Sequence, residues 1–202
     1  HSLCVDPRGP GRLLLGVSCG GAWETLDGGE SWALRAEGMF ADFMPPELKF
    51  QGETQDPHRI ARCAAQPDVL WCQHHNGVFR STDGGKKWAE VKVPPSSFGF
   101  VVAAHPKDPD TAWFVPATSD QKRVPVDARV VVSRTRDGGK TFEVCARGLP
   151  APAWDLVYRH GLDVDATGER LVMGSTSGAL WVSSDAGASW SMLTAHLPPV
   201  FA

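Results

Sequence analysis

The chain has 202 residues, 42% of them hydrophobic and 21% charged, as expected for one globular domain spanning residues 1–202. Its net charge of −3 argues against a nucleic-acid partner. No membrane partner is expected either, because no apolar run reaches the roughly 18 residues of a membrane span. The 21 Gly and 16 Pro residues predict many short elements separated by turns.

One motif occurs four times along the chain. Its form is Ser/Thr-x-Asp-x-Gly-x-Ser/Thr-Trp, and its copies span residues 25–32, 81–88, 135–142 and 183–190. Lys87, Phe142 and Ala186 are departures from this form. The interval of about 50 residues is typical of architectures in which one small unit stacks on the next.

Each repeat contains four short apolar runs, and runs of this length between turn residues predict strands. In the first repeat they are residues 2–5, 12–15, 21–23 and the residues after the motif. The leading runs of the later repeats are residues 61–65, 100–104 and 161–164. No helix is predicted. The pattern therefore predicts an all-β fold, a β-propeller of four-stranded antiparallel blades, with blades at 1–35, 59–91, 98–145 and 160–194.

The motif itself predicts a hairpin turn between the third and fourth strands of each blade. The Asp carboxylate can accept backbone N–H bonds across the turn, and the Ser or Thr hydroxyl can support it. The Gly residues permit a positive φ, and the final Trp can wedge between blades. We therefore expect Asp27, Asp83, Asp137 and Asp185 to be architectural rather than catalytic.

This motif resembles the Asp-box, or BNR repeat, of sialidase-type propellers. Sortilin-type propellers, xyloglucan-cleaving glycosidases and photosystem assembly factors are similar. The closer resemblance is to bacterial BNR-repeat proteins grouped with glycosyl hydrolases or exo-α-sialidases, through residues 41–43, 98–100, 105–111 and 196–199. Such propellers have roughly six to eight blades, whereas this chain supplies four. Three alternatives follow: part of a larger propeller, pairing of two copies into a ring, or closure as a four-bladed ring.

Propeller ligands usually bind at one mouth of the central channel, near the innermost strands. Aligned on the turn after the first strand, His1, Ala61, Phe100 and His160 take equivalent positions at the start of that strand. His58 precedes this position in the second repeat. The candidate ligand-binding residues at the mouth are His1, Arg59, Phe100, Arg123, Arg159 and His160. An ordinary solvated channel rim explains the same residues. We expect no cofactor, and no metal site because no pair has metal-ligand spacing.

Two functions remain open from the sequence. The first is a binding scaffold that presents its channel mouth to a glycan or protein. The second, implied by the resemblance, is a glycoside hydrolase with Asp42, Asp120 and Tyr158 as candidate catalytic residues. Asp42 and Asp120 lie in insertions at residues 36–58 and 116–129, and Tyr158 is the single Tyr. A sialidase site would also need clustered Arg residues and a Glu partner for the Tyr.

The chain has five Cys residues, an odd number with no C-x-x-C pair. We expect small buried thiols without disulfides. That expectation slightly favours the reducing cytoplasm, although the sequence does not fix the compartment.

Overall fold

Sixteen strands form four antiparallel sheets in a computed structural model that describes residues 1–201. The first blade holds β1 (Ser2–Val5), β2 (Leu13–Val17), β3 (Gly21–Thr25) and β4 (Ala33–Leu34); the second holds β5 (Pro57–Arg62), β6 (Leu70–His74), β7 (Gly77–Ser81) and β8 (Ala89–Val91). The third holds β9 (Gly99–Ala104), β10 (Ala112–Pro116), β11 (Val132–Thr135) and β12 (Glu143–Cys145); the fourth holds β13 (Leu162–Val164), β14 (Leu171–Gly174), β15 (Leu180–Ser183) and β16 (Ser191–Thr194).

The strands of every sheet follow one another in chain order, so each blade is the predicted four-stranded meander. The helical content of the described residues is two short 3₁₀ turns, Gly52–Thr54 and Val126–Ala128. No helix within residues 1–201 has the length and apolar character needed to cross a membrane. The fold class predicted from the repeats is confirmed.

The repeated motif forms the turn predicted from its residues. In the second blade, the Ser81 hydroxyl donates to Asp83 Oδ1 at 2.9 Å and accepts the Gly85 N–H at 2.9 Å. The Lys87 N–H donates to the same carboxylate oxygen at 3.0 Å, and the other three repeats have equivalent bonds. Ala186 takes φ 55° where the other repeats have Gly, so this departure leaves the turn intact. The four Asp residues hold turns, as expected.

Apolar clusters join each blade to the next. Trp88 packs with residues of the first and second blades, and its indole N–H donates to Arg35 O at 2.9 Å. Phe142 packs between the second and third blades, and Trp190 between the third and fourth. Each motif aromatic thus contacts the preceding blade, which confirms the predicted wedge. Trp32 is the exception at 39% exposed, because no blade precedes the first one within the described residues.

The outer faces of the first and fourth blades are uncovered. Leu3 on β1 is 59% exposed and Val172 on β14 is 40% exposed. A groove of about 520 Å³ runs over the face of the fourth blade that includes Val172 and Val182. No apolar cluster within residues 1–201 joins these two blades. The four blades therefore form an arc with two open apolar faces, which argues against the self-closed ring.

All five Cys residues are unpaired, as predicted. Four of them are buried, and burial raises the pKa of the Cys4 thiol to about 11. Cys19 differs from the expectation because it is exposed, in the turn between β2 and β3.

Candidate functional site

The first strands of the four blades line one central cavity of about 320 Å³. Leu3 of β1, Ile60 of β5, Ala103 of β9 and Asp163 of β13 contribute to its wall. These strands are therefore the innermost ones, and their starts surround one mouth of the channel, as expected from the repeats.

The hairpins fix which residues are equivalent at this mouth. Each first strand ends where a backbone N–H donates to a carbonyl of the second strand: Asp6 to Arg12 at 2.9 Å, Cys63 to Val69 at 3.1 Å, His105 to Thr111 at 3.0 Å and Asp165 to Arg170 at 2.9 Å. Five positions before these donors lie His1, His58, Phe100 and His160. We call these four residues the strand-start set. The prediction of Ala61 as the equivalent residue in the second blade is wrong. The repeats were aligned on the turn at Gln66–Pro67, but the turn that closes the first hairpin begins three residues earlier, at Cys63, and β5 begins at Pro57.

Phe100 is the centre of an aromatic stack at the mouth. Its ring lies 4.7 Å from the His58 ring at 15° and 4.7 Å from the Tyr158 ring at 28°. Phe100 is only 1% exposed, so it supports its neighbours rather than presenting a face to solvent. The structure thus places this predicted ligand-binding residue beneath the mouth surface.

Two of the predicted Arg residues flank this stack. The Arg123 guanidinium lies 5.4 Å from the Phe100 ring centre, and its Nε donates to Asp120 Oδ1 at 3.1 Å. The Arg159 guanidinium lies 5.7 Å from the Phe100 ring and 4.5 Å from the Tyr158 ring. Arg159 has no ion-pair partner within residues 1–201, and its buried Nε has no hydrogen-bond partner. The Nε is closed off from solvent, so the donors that Arg159 can offer a ligand are its Nη groups, on a half-buried side chain.

Arg59 lines the central cavity and bonds two carbonyl oxygens of the segment that leads into β13. Its Nη1 donates to Arg159 O at 2.9 Å and to Leu162 O at 3.2 Å. It thus bridges the second blade to the fourth across the channel. His160 Nε2 donates to His1 O at 2.9 Å, so these two predicted residues are also in contact.

The mouth carries an excess of positive charge on this side. Burial lowers the pKa of His160, and the charges of Arg59 and Arg159 lower it further. The neutral form of His160 is therefore favoured at this mouth.

The structure also brings together three residues that the sequence did not associate. We call Asp56, His58 and His75 the histidine–aspartate cluster. Asp56 Oδ2 lies 3.7 Å from His58 Nε2 and 3.4 Å from His75 Nδ1. The cluster arises because β5 and β6 are antiparallel, so the start of β5 lies beside the end of β6. The signal in the sequence was the pair of polar stretches at those two strand ends.

The predicted catalytic residues do not form one constellation. Asp42 pairs with Lys49 at 2.5 Å, and its N–H donates to Asn76 Oδ1 at 2.9 Å. Asp120 Oδ2 lies 3.9 Å from His75 Nε2, at the edge of the histidine–aspartate cluster. No Asp or Glu within residues 1–201 hydrogen-bonds the Tyr158 hydroxyl. Asp42 and Asp120 thus both lie near His75, whereas Tyr158 stacks on Phe100.

No protein-family profile and no curated protein matches this sequence. Solved structures do match. An ancestral GH74 enzyme superposes with a TM-score of 0.70 at 15% identity, covering 96% of this chain and 24% of that one. YCF48 from Cyanidioschyzon merolae gives 0.62 at 16% identity, covering 98% and 56%. A chain of a nidogen/laminin complex gives 0.63 at 12% identity, covering 98% and 64%.

The chain therefore spans between a quarter and two thirds of the length of these structures. Identities this low show a shared fold and nothing finer. With four antiparallel four-stranded blades around a channel, the chain has the fold of a β-propeller.

Proposed function

We propose that this chain is part of an Asp-box propeller scaffold whose channel mouth binds a carboxylate-bearing group of a glycan or protein ligand. The observation that supports this most is the Arg159 guanidinium beside Tyr158, which has no ion-pair partner within residues 1–201. A guanidinium matches a carboxylate because it can donate two parallel N–H bonds. A free, partly buried Arg at a channel mouth is therefore suited to an acidic ligand.

The surroundings of Arg159 favour the same ligand. Tyr158 offers a ring and a hydroxyl, Arg123 lies across the Phe100 ring, and burial together with nearby positive charge lowers the pKa of His160. Aromatic rings with a few polar groups are usual in sites for sugars and peptides. The nidogen/laminin chain, which has this fold, is part of a protein complex, and the GH74 protein is an enzyme. Both ligand classes therefore belong in the test.

The test is calorimetric titration with matched acidic and neutral ligands. N-acetylneuraminate and glucuronate are compared with galactose and glucose, and an acidic peptide with its amidated counterpart. We expect the acidic member of at least one set to bind and Arg159→Gln to weaken it about tenfold or more, the cost of a charged hydrogen bond. The control is Arg147→Gln, because Arg147 is exposed and pairs with Asp185 in a motif turn. Equal binding by both variants would contradict the proposal.

The second candidate function is sialidase-like glycoside hydrolysis. The observation that favours it is the grouping of Tyr158, Arg159 and Arg123 around Phe100, since a sialidase site combines a Tyr with Arg residues. The absence of a carboxylate hydrogen-bonded to Tyr158 within residues 1–201 argues against sialidase-like hydrolysis. A fluorogenic sialoside tests this function. Turnover that Tyr158→Phe abolishes and Asp42→Asn leaves intact would establish it, whereas no turnover would leave the binding scaffold.

The open faces of the first and fourth blades need a cover, because exposed apolar surfaces of this kind usually bind something. Further blades or a second copy of the chain would provide it. Light scattering separates the two: the chain alone has a mass of 21.8 kDa, and a two-copy ring would have twice that mass.

A further inference from the structure

The geometry points to a binding site for a divalent transition-metal ion of the zinc type in the histidine–aspartate cluster. The ligand atoms are Asp56 Oδ2, His58 Nε2 and His75 Nδ1. All three lie within 4.8 Å of one another. Two imidazoles and one carboxylate are a ligand set that zinc and its neighbours in the first transition row prefer. This inference is independent of the carboxylate-binding role of Arg159.

The spacing of these atoms fits an ion better than it fits hydrogen bonds. The distances of 3.7 Å and 3.4 Å from Asp56 Oδ2 to the two ring nitrogens exceed those of a good N–H···O bond. A tetrahedral ion with bonds of about 2.0–2.1 Å separates its ligand atoms by about 3.3–3.4 Å. The two distances from Asp56 Oδ2 are therefore close to ligand spacing, and the two ring nitrogens lie within 4.8 Å of each other.

Each ligand is held by its other polar atom. His58 Nδ1 donates to Gly99 O at 2.7 Å, and a carbonyl can only accept, so in the neutral ring Nε2 is the nitrogen with a free lone pair. Asp56 Oδ1 accepts from the Ser18 hydroxyl at 2.8 Å and from the Cys19 N–H at 3.3 Å, which leaves Oδ2 free. Outer bonds of this kind orient the ligands of protein metal sites.

His75 completes the pattern. With Nδ1 directed at the ion, its Nε2 faces Asp120 Oδ2 at 3.9 Å. A carboxylate behind a ligating His is a frequent second partner in zinc sites. The adjacent His74 is excluded as a ligand, because its Nε2 accepts the Asp56 N–H at 2.8 Å and the ring is fully buried.

Three protein ligands leave one position of a tetrahedral ion for water or a ligand. The Phe98 ring packs against both His58 and His75, at 6.0 and 5.9 Å between ring centres, and Phe43 packs against His75 at 4.7 Å. His75 and Phe43 are both partly exposed, so the site is reached from the mouth surface. This is the arrangement of a site with an open coordination position rather than a sealed structural one.

Calorimetric titration of chelator-treated protein with ZnCl₂ and CoCl₂ tests the site. We expect one ion per chain and a rise in Tm with each metal, because an ion that binds only the folded state stabilises it. His75→Ala should weaken binding by more than the roughly 10- to 100-fold that loss of an outer partner costs. Asp56→Asn should do the same. His196→Ala, an exposed His outside the cluster, should bind as the unaltered protein does.

The outcome that overturns the inference is equal zinc affinity in His75→Ala and the unaltered protein, or no binding at all. Circular dichroism confirms that each variant is folded. Since Asp56 is buried and its replacement could unfold β5, His75→Gln serves as the second variant: it keeps a similar side-chain length but removes the imidazole. The same variants are also titrated with the acidic ligands. Loss of zinc binding without loss of acid binding would separate the histidine–aspartate cluster from the Arg159 site.

Discussion

Met173 and Val172 are neighbours on β14 whose side chains point to opposite faces of the fourth blade. Met173 is fully buried in the cluster shared with the third blade, and in the sheet it pairs with Leu162 and Trp181. Val172 is on the open face. Two adjacent substitutions therefore probe one packed face and one uncovered face of the same strand.

Met173→Ala should lower the free energy of unfolding by about 2–5 kcal/mol, the usual cost of removing a buried Met side chain. Val172→Thr has nearly the same shape and should change it by less than about 0.5 kcal/mol, because the side chain lies on the uncovered face and is 40% exposed. Urea unfolding followed by Trp fluorescence measures both. For a chain of this size, each kcal/mol corresponds to about 2–4 °C in Tm.

A loss above about 1 kcal/mol from Val172→Thr would refute the description of this face as uncovered. It would mean that the first blade, or another copy, packs there. A loss below about 1 kcal/mol from Met173→Ala would refute the shared core between the third and fourth blades. Measuring at several protein concentrations separates packing within one chain from packing between copies.

Three further predictions concern the turns. Ser81→Ala removes the acceptor of the buried Gly85 N–H and should cost about 1–3 kcal/mol by urea unfolding; an unchanged midpoint would contradict the role of the hydroxyl. The hydrogen bond from the Thr141 hydroxyl lowers the pKa of Asp137 to about 2, so its contribution to stability is full above pH 4 and lost as pH falls toward 2. Asp137→Asn should therefore flatten the acid dependence of unfolding over that interval, and a parallel pH profile would contradict this. At Gly38 the φ is 91°, and a Cβ would lie 2.1 Å from the backbone oxygen of Trp88 in the second blade. Gly38→Ala should therefore lower Tm sharply. An unchanged Tm would show that the first and second blades are not in close contact at this residue.

The blades could be predicted from the sequence because each repeat carries its own turn chemistry. The Asp83 turn and its equivalents use only local residues, so the spacing of the motif locates them. The strand boundaries were less accurate. β5 begins at Pro57 rather than Ala61. A strand end depends on the register with its partner strand, and the pattern of apolar residues does not encode it.

The mouth was predicted in part. The equivalence of the repeats located Phe100, Arg159 and His160 at one end of the channel. It did not reveal that Phe100 is covered by the rings beside it, since burial depends on loops from other blades. The histidine–aspartate cluster was missed because Asp56 and His75 are far apart along the chain and meet through the β5–β6 pairing.

We propose that the channel mouth at the strand-start set is the binding surface of this protein. The most direct measurement is NMR of the seven His rings during two separate titrations, one with Zn²⁺ and one with N-acetylneuraminate. We predict that Zn²⁺ shifts the His58 and His75 resonances and that the acid shifts His160. His105 and His196 should stay in place in both titrations. Shifts confined to His105 or His196, or none at the mouth in either titration, would contradict the claim.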